Sequence, residues 1–137
     1  MANISFTVSS IEELPKVAQE IIFSFHHKII LFEGEMGAGK TTLIKEIISA
    51  MGSKDETSSP TFSIVNEYET SIGKVYHFDL YRIKSEEEAM DFGIEEYLDS
   101  GDYCFIEWPD KIENLISGPH HTVKIIVQEN QRTIIFV

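Results

Sequence analysis

The chain has 137 residues, 42% of them hydrophobic, which suits one domain of ordinary size (residues 1–137) with its own core. Eleven Lys and Arg stand against twenty-three Asp and Glu, and the resulting net charge of −12 opposes non-specific attraction to nucleic acid or to an anionic membrane surface. The single cysteine, Cys104, excludes an internal disulfide, the first residues lack the pattern of a secretory signal, and no apolar run approaches the roughly 18 residues of a spanning helix, so a cytoplasmic protein without a membrane segment is expected.

Alternation of Ile4, Phe6 and Val8 predicts a short strand, and Ser9-Ser10 ahead of acidic Glu12 and Glu13 predicts a helix over 11–26, with Pro15 tolerated in its first turns. The apolar run 28–32 reads as a buried parallel strand. It leads into glycines and then into a helix over 41–51 with apolar Leu43, Ile44, Ile47, Ile48 and Met51, which Gly52 ends. Residues 53–60 are polar and turn-rich, a surface loop. Stretches 61–68 and 74–81 form a predicted antiparallel hairpin around Ser71 and Gly73. A short helix starts at Ser85 and closes at Gly93, with a further helical turn over 94–98, a buried strand over 103–108 and a short helix over 111–116. Two strands, 122–128 and 132–137, end the chain around Glu129-Asn130-Gln131. The expected fold is α/β, a P-loop NTPase-like core of parallel central strands with antiparallel additions, its strand order unreadable.

The string Gly34-Glu35-Met36-Gly37-Ala38-Gly39-Lys40-Thr41 matches G-x-x-x-x-G-K-[ST] and lies between a predicted strand and a predicted helix, the context the motif requires. Its glycines let successive backbone N–H groups turn toward phosphate oxygens, and the helix adds the positive end of its dipole. Lys40 is expected to reach the β- and γ-phosphates and the Thr41 hydroxyl to ligate Mg²⁺, while Thr42 either touches the α-phosphate or continues the helix. Two acids end strand-like stretches: Glu107 after Cys104-Phe105-Ile106, and Asp79 after Val75-Tyr76-His77-Phe78. Glu107 is the candidate to hold magnesium directly or through water, and Asp79 to position the attacking water or support the metal. Either acid alternatively pairs with a base at its strand end. Thr61, in Ser58-Ser59-Pro60-Thr61-Phe62, is a candidate γ-phosphate sensor or simply a β-favouring residue beginning a strand. His26-His27 and His120-His121 lack ligand partners in the pattern and are expected to face solvent. Cys104 is expected in the core.

Taken together, GEMGAGKTT at 34–42, SSPTFSIVNEY at 58–68, HFDLYR at 77–82, DFGIEEYL at 91–98 and IEWPD at 106–110 resemble the TsaE family of bacterial P-loop ATPases, which act in threonylcarbamoyladenosine modification of tRNA. The resemblance implies that ATP is the nucleotide, that Lys40 and the surrounding backbone bind phosphate, and that Thr41 and Glu107 bind magnesium. It implies Asp79 in hydrolysis, Thr61 in a switch region, and further nucleotide contacts near Ser10, Ile11 and Arg132. The implied partners are the TsaD and TsaB proteins, with tRNA met only through their complex and hydrolysis slow until partners stimulate it. A small-molecule kinase is the first alternative, although no arginine-bearing lid is visible. A nucleotide-dependent binding switch with negligible turnover is the second.

Overall fold

The computed structural model describes residues 4–53 and 64–137. Strand β1 (Ile4–Val8) passes through a 3-10 turn (Ile11–Glu13) into helix α1 (Leu14–Phe23). The single helix predicted over 11–26 is thus tighter at its start and shorter at its end. At the start, the Glu13 carboxylate accepts the Ser9 and Ser10 amides, which holds that turn and lowers the Glu13 pKa. At the end, the amides of Ser24 and Phe25 turn to the carbonyls of Ile21 and Ile22, and the Ser24 hydroxyl donates to the Glu20 carbonyl at 3.0 Å. Pro15 sits in the first turn of α1, where its missing N–H does little harm.

Strand β2 (Ile29–Gly34) and helix α2 (Lys40–Ala50) flank the glycine loop. Then come the hairpin β3 (Val65–Thr70) and β4 (Gly73–Asp79), helices α3 (Glu86–Asp91) and α4 (Ile94–Leu98), and strand β5 (Tyr103–Glu107). A 3-10 segment (Pro109–Leu115) precedes β6 (His121–Gln128) and β7 (Gln131–Phe136). The helix predicted over 111–116 is this 3-10 segment, kinked at Ile112, and Trp108 leaves the predicted strand with φ 59°. The predicted loop 53–60 falls outside the described residues beyond Ser53, as do the first three residues of the stretch 61–68.

One seven-stranded sheet results, in the order β1-β7-β6-β2-β5-β4-β3. Strands β6, β2, β5 and β4 pair in parallel, and β1, β7 and β3 add antiparallel edges, as the α/β expectation held. Apolar residues alternate between two cores. One face, with Phe32, Phe105 and Val123, packs against Val17, Ile21, Ile44 and Ile47 of α1 and α2. The other, with Leu31, Phe78 and Ile106, packs against Ala89, Ile94 and Ile112. Burying each large apolar side chain contributes about 1.5–3 kcal/mol, so the central strands are fixed from both sides. Among the described residues no helix is long and apolar enough to cross a membrane.

Candidate functional site

The loop between β2 and α2 opens at the carboxyl ends of the parallel strands, where ligands of such sheets bind. Its shape depends on glycine at specific points. Gly37 has φ 80° and Gly39, the residue before α2, has φ 104°. A Cβ on Gly34 would lie 3.0 Å from the Ile125 carbonyl oxygen and 3.3 Å from Ala38 Cβ, so the loop starts in close contact with β6. The side chains of Glu35 and Met36 are exposed, which leaves their backbone as the part suited to phosphate.

Lys40 is buried, with its Nζ donating to the Gly34 carbonyl at 2.6 Å and lying 3.4 Å from the Trp108 ring centroid. Burial lowers its pKa, opposed by the nearby charges of Glu107, Asp79 and Asp110. Trp108 reaches this position from a left-handed backbone conformation, which costs a bulky residue about 1–3 kcal/mol and is a form of strain that concentrates at functional sites. Tyr81 packs against the indole in a tilted arrangement, 5.0 Å between centroids and 51° between planes.

Glu107 ends β5 only 3% exposed. The Thr41 hydroxyl stands 3.0 Å from both of its carboxylate oxygens, and His77 Nε2 lies 2.7 Å from Oε2. Asp79 is the register partner of Glu107 across β4 and β5, and its Oδ1 accepts the Tyr81 amide at 3.1 Å, turning the chain out of the strand. Both predicted acids therefore stand side by side beside Lys40 and Thr41. Hydroxyl and carboxylate oxygens at one point are the hard donors that magnesium takes, so the residues present fit the cation.

On the other side of the loop, Ser10, Ile11, Gly37, Gly39, Thr42 and Arg132 line a cavity of about 400 Å³. The Glu13-held turn presents Ser10 and Ile11, and Arg132 Nε donates to the Ala38 carbonyl at 2.8 Å. Ser10, Ile11 and Arg132, which the family resemblance implied, thus lie beside the glycine loop. A second cavity, of about 480 Å³, opens beside Lys40, Trp108, Asp110 and Glu113. Thr61 lies outside the described residues.

The family model described as "Threonylcarbamoyl adenosine biosynthesis protein TsaE" matches residues 8–134. The chain belongs to the TsaE family. Relatives named tRNA threonylcarbamoyladenosine biosynthesis protein TsaE include one from Rickettsia felis, 40% identical over 124 residues that cover 88% of this chain and 72% of the relative. Another, from Bacillus subtilis, is 34% identical over 111 residues, 79% of this chain and 68% of the relative. The crystal structure of Bacillus subtilis YdiB superposes with a TM-score of 0.76 at 25% identity, covering 98% of this chain and 84% of that one.

One feature of this TsaE-family site, His77, and one at the opposite end of the parallel strands, His121, went unread in the sequence. His77 is buried against Glu107, although its place inside HFDLYR was visible. His121, expected to face solvent, is instead 1% exposed. Its Nε2 accepts the amides of His26 and His27 at 2.9 and 3.1 Å, and Nδ1 lies 3.1 Å from the Val137 carbonyl, so the ring ties the segment before β2 to the chain's end. Burial lowers its pKa, the Val137 carbonyl opposes this, and the neighbouring histidines His27, His26 and His120 lower it further. Cys104 is buried as expected, and burial pushes its thiol up to about 12.

Proposed function

We propose that this chain binds ATP with Mg²⁺ at residues 34–42 and hydrolyses it slowly, as the accessory ATPase of threonylcarbamoyladenosine modification of tRNA, stimulated by the TsaD and TsaB proteins. The observation that carries the reading is the Thr41–Glu107 pair, 3.0 Å from hydroxyl to each carboxylate oxygen, at the foot of the helix that follows the phosphate loop. Family membership supports the pathway, since relatives carry that biosynthetic name.

The triphosphate lies along the loop amides and the N-terminus of α2, whose dipole favours anions. Lys40 exchanges its Gly34 carbonyl and Trp108 contacts for phosphate oxygens. Thr41 and Glu107 would hold magnesium, which when bound would neutralise phosphate charge. Thr41 donates its hydroxyl hydrogen bond to Glu107 and would keep its oxygen lone pairs for the cation. Asp79, beside Glu107 in register, orients water for attack on the γ-phosphate or supports the metal. The adenosine end occupies the 400 Å³ cavity between Ser10, Ile11 and Arg132, which Thr42 also lines. Thr61 senses the γ-phosphate, a role that rests on the family resemblance. The chain works as a single cytoplasmic domain, and its acidic charge suits contact with tRNA through partners.

Phosphate release measured while purified TsaD and TsaB are titrated in should rise from a slow basal rate, and Thr61→Ala should blunt the rise more than it weakens ATP binding. Partners that neither bind the ATP-loaded protein nor alter its turnover would refute the accessory role. Phosphate appearing on an acceptor molecule instead of in solution would favour a kinase.

A further inference from the structure

His77 is a buried imidazole with no part in the steps above. It lies 1% exposed in the middle of β4, in parallel register with Phe105, and strand alternation sets it on the face that carries Asp79 and Glu107. From there its ring spans to the neighbouring strand, where Nε2 meets Glu107 Oε2 at 2.7 Å. A carboxylate only accepts, so Nε2 carries the hydrogen and donates it.

Two donors then hold one carboxylate from two elements. Thr41 reaches Glu107 from the first turn of α2, the part of the fold that engages phosphate, whereas His77 reaches it from β4, a strand paired on both sides and packed on both faces. If Thr41 shifts as the nucleotide binds, His77 still holds the carboxylate through Oε2. Groups that orient a ligating side chain in this way commonly govern metal affinity by 10- to 100-fold.

We infer that His77 is a positioning residue for the magnesium site, acting through the Glu107 carboxylate and not on nucleotide itself. The inference rests on the assignment of magnesium to Thr41 and Glu107. Its effect belongs to the metal-dependent part of nucleotide binding, because the loop amides and Lys40 hold phosphate without Glu107.

The test is calorimetric titration of a non-hydrolysable ATP analogue, once in EDTA and once with magnesium, on the full chain and four variants. Glu107→Ala sets the scale by removing the carboxylate. His77→Phe keeps ring bulk and deletes the donor. His77→Gln carries an amide N–H about as far out as Nε2, and His77→Asn falls short of it. Affinity in EDTA should stay within about twofold of the parent throughout, while the gain on adding magnesium should fall about tenfold or more in Glu107→Ala, His77→Phe and His77→Asn. His77→Gln should keep that gain within about threefold of the parent. If Glu107→Ala loses the gain and His77→Phe and His77→Asn keep it, the positioning role is overturned and the metal assignment stands. If Glu107→Ala keeps the gain, the metal assignment fails and takes this inference with it. An equal fall in EDTA and magnesium for every His77 variant would make the residue merely structural, which also overturns the inference. Should His77→Phe fail to fold, the contrast between Gln and Asn decides, and equal gains in the two would be contrary to it.

Discussion

Replacing Lys40 by alanine should weaken ATP binding by an amount set by two opposing exchanges. In the free protein the ammonium is already engaged, 2.6 Å from the Gly34 carbonyl oxygen and 3.4 Å from the Trp108 ring centroid. Binding gives up that carbonyl contact and a cation–π contact of about 0.5–2 kcal/mol, and gains charge-assisted bonds to phosphate. A hydrogen bond to a charged group is worth about 1.5–3 kcal/mol net; one phosphate bond replaces the carbonyl bond and a second exceeds the lost cation–π contact, so a net loss of about 1–2.5 kcal/mol is expected in the variant. At about 1.4 kcal/mol per tenfold, ATP affinity should fall roughly 5- to 60-fold. Isothermal calorimetry in EDTA measures this directly, with a thermal melt of the variant to show that it is folded. Affinity within twofold of the parent in a folded Lys40→Ala protein would refute the phosphate role of the residue.

Glu107→Ala should retain most of the metal-free nucleotide affinity, because backbone amides and Lys40 hold the phosphates, yet lose magnesium-dependent phosphate release by at least about tenfold. A steady-state assay against magnesium concentration tests this. Stability should decline as pH drops below the ordinary histidine value of about 6.5, because burial lowers the His121 pKa and the unfolded chain takes up the proton first. Above that value both states are neutral and the contribution is fully present. An NMR titration placing the His121 midpoint at or above the ordinary value would refute the burial argument. Cys104, its thiol raised to about 12, should resist a thiol reagent at pH 8 in the native protein and react promptly once the chain is unfolded in denaturant.

Local patterns carried much of this site. The glycine loop is a contiguous string whose glycines, lysine and threonine are brought together by local sequence alone, and Asp79 and Glu107 were marked by the apolar strands that lead into them. Their pairing in register follows once β4 and β5 are neighbours, but the sequence does not say that they are neighbours. The order of the sheet is set by pairings between distant segments, such as β2 between β6 and β5, and no periodicity encodes it. His77 shows the same limit, for its partner lies 30 residues away on another strand. His121 was misread because its hydrogen bonds run to backbone amides 94 and 95 residues earlier, and a neighbouring histidine at 120 suggested a polar surface. The helix over 11–26 was overextended for a local reason: the apolar spacing of Leu14, Val17, Ala18 and Ile21 is helical, while Glu13 binds the amides ahead of it and tightens the start.

A crystal structure of the protein with a non-hydrolysable ATP analogue and magnesium tests the central claim most directly. The triphosphate should follow the amides of residues 34–42 with Lys40 on its terminal phosphates, the base should enter the cavity between Ile11 and Arg132, and the cation should contact Thr41 and, directly or through one water, Glu107. A triphosphate bound elsewhere, or a cation that meets neither Thr41 nor Glu107, would contradict the account.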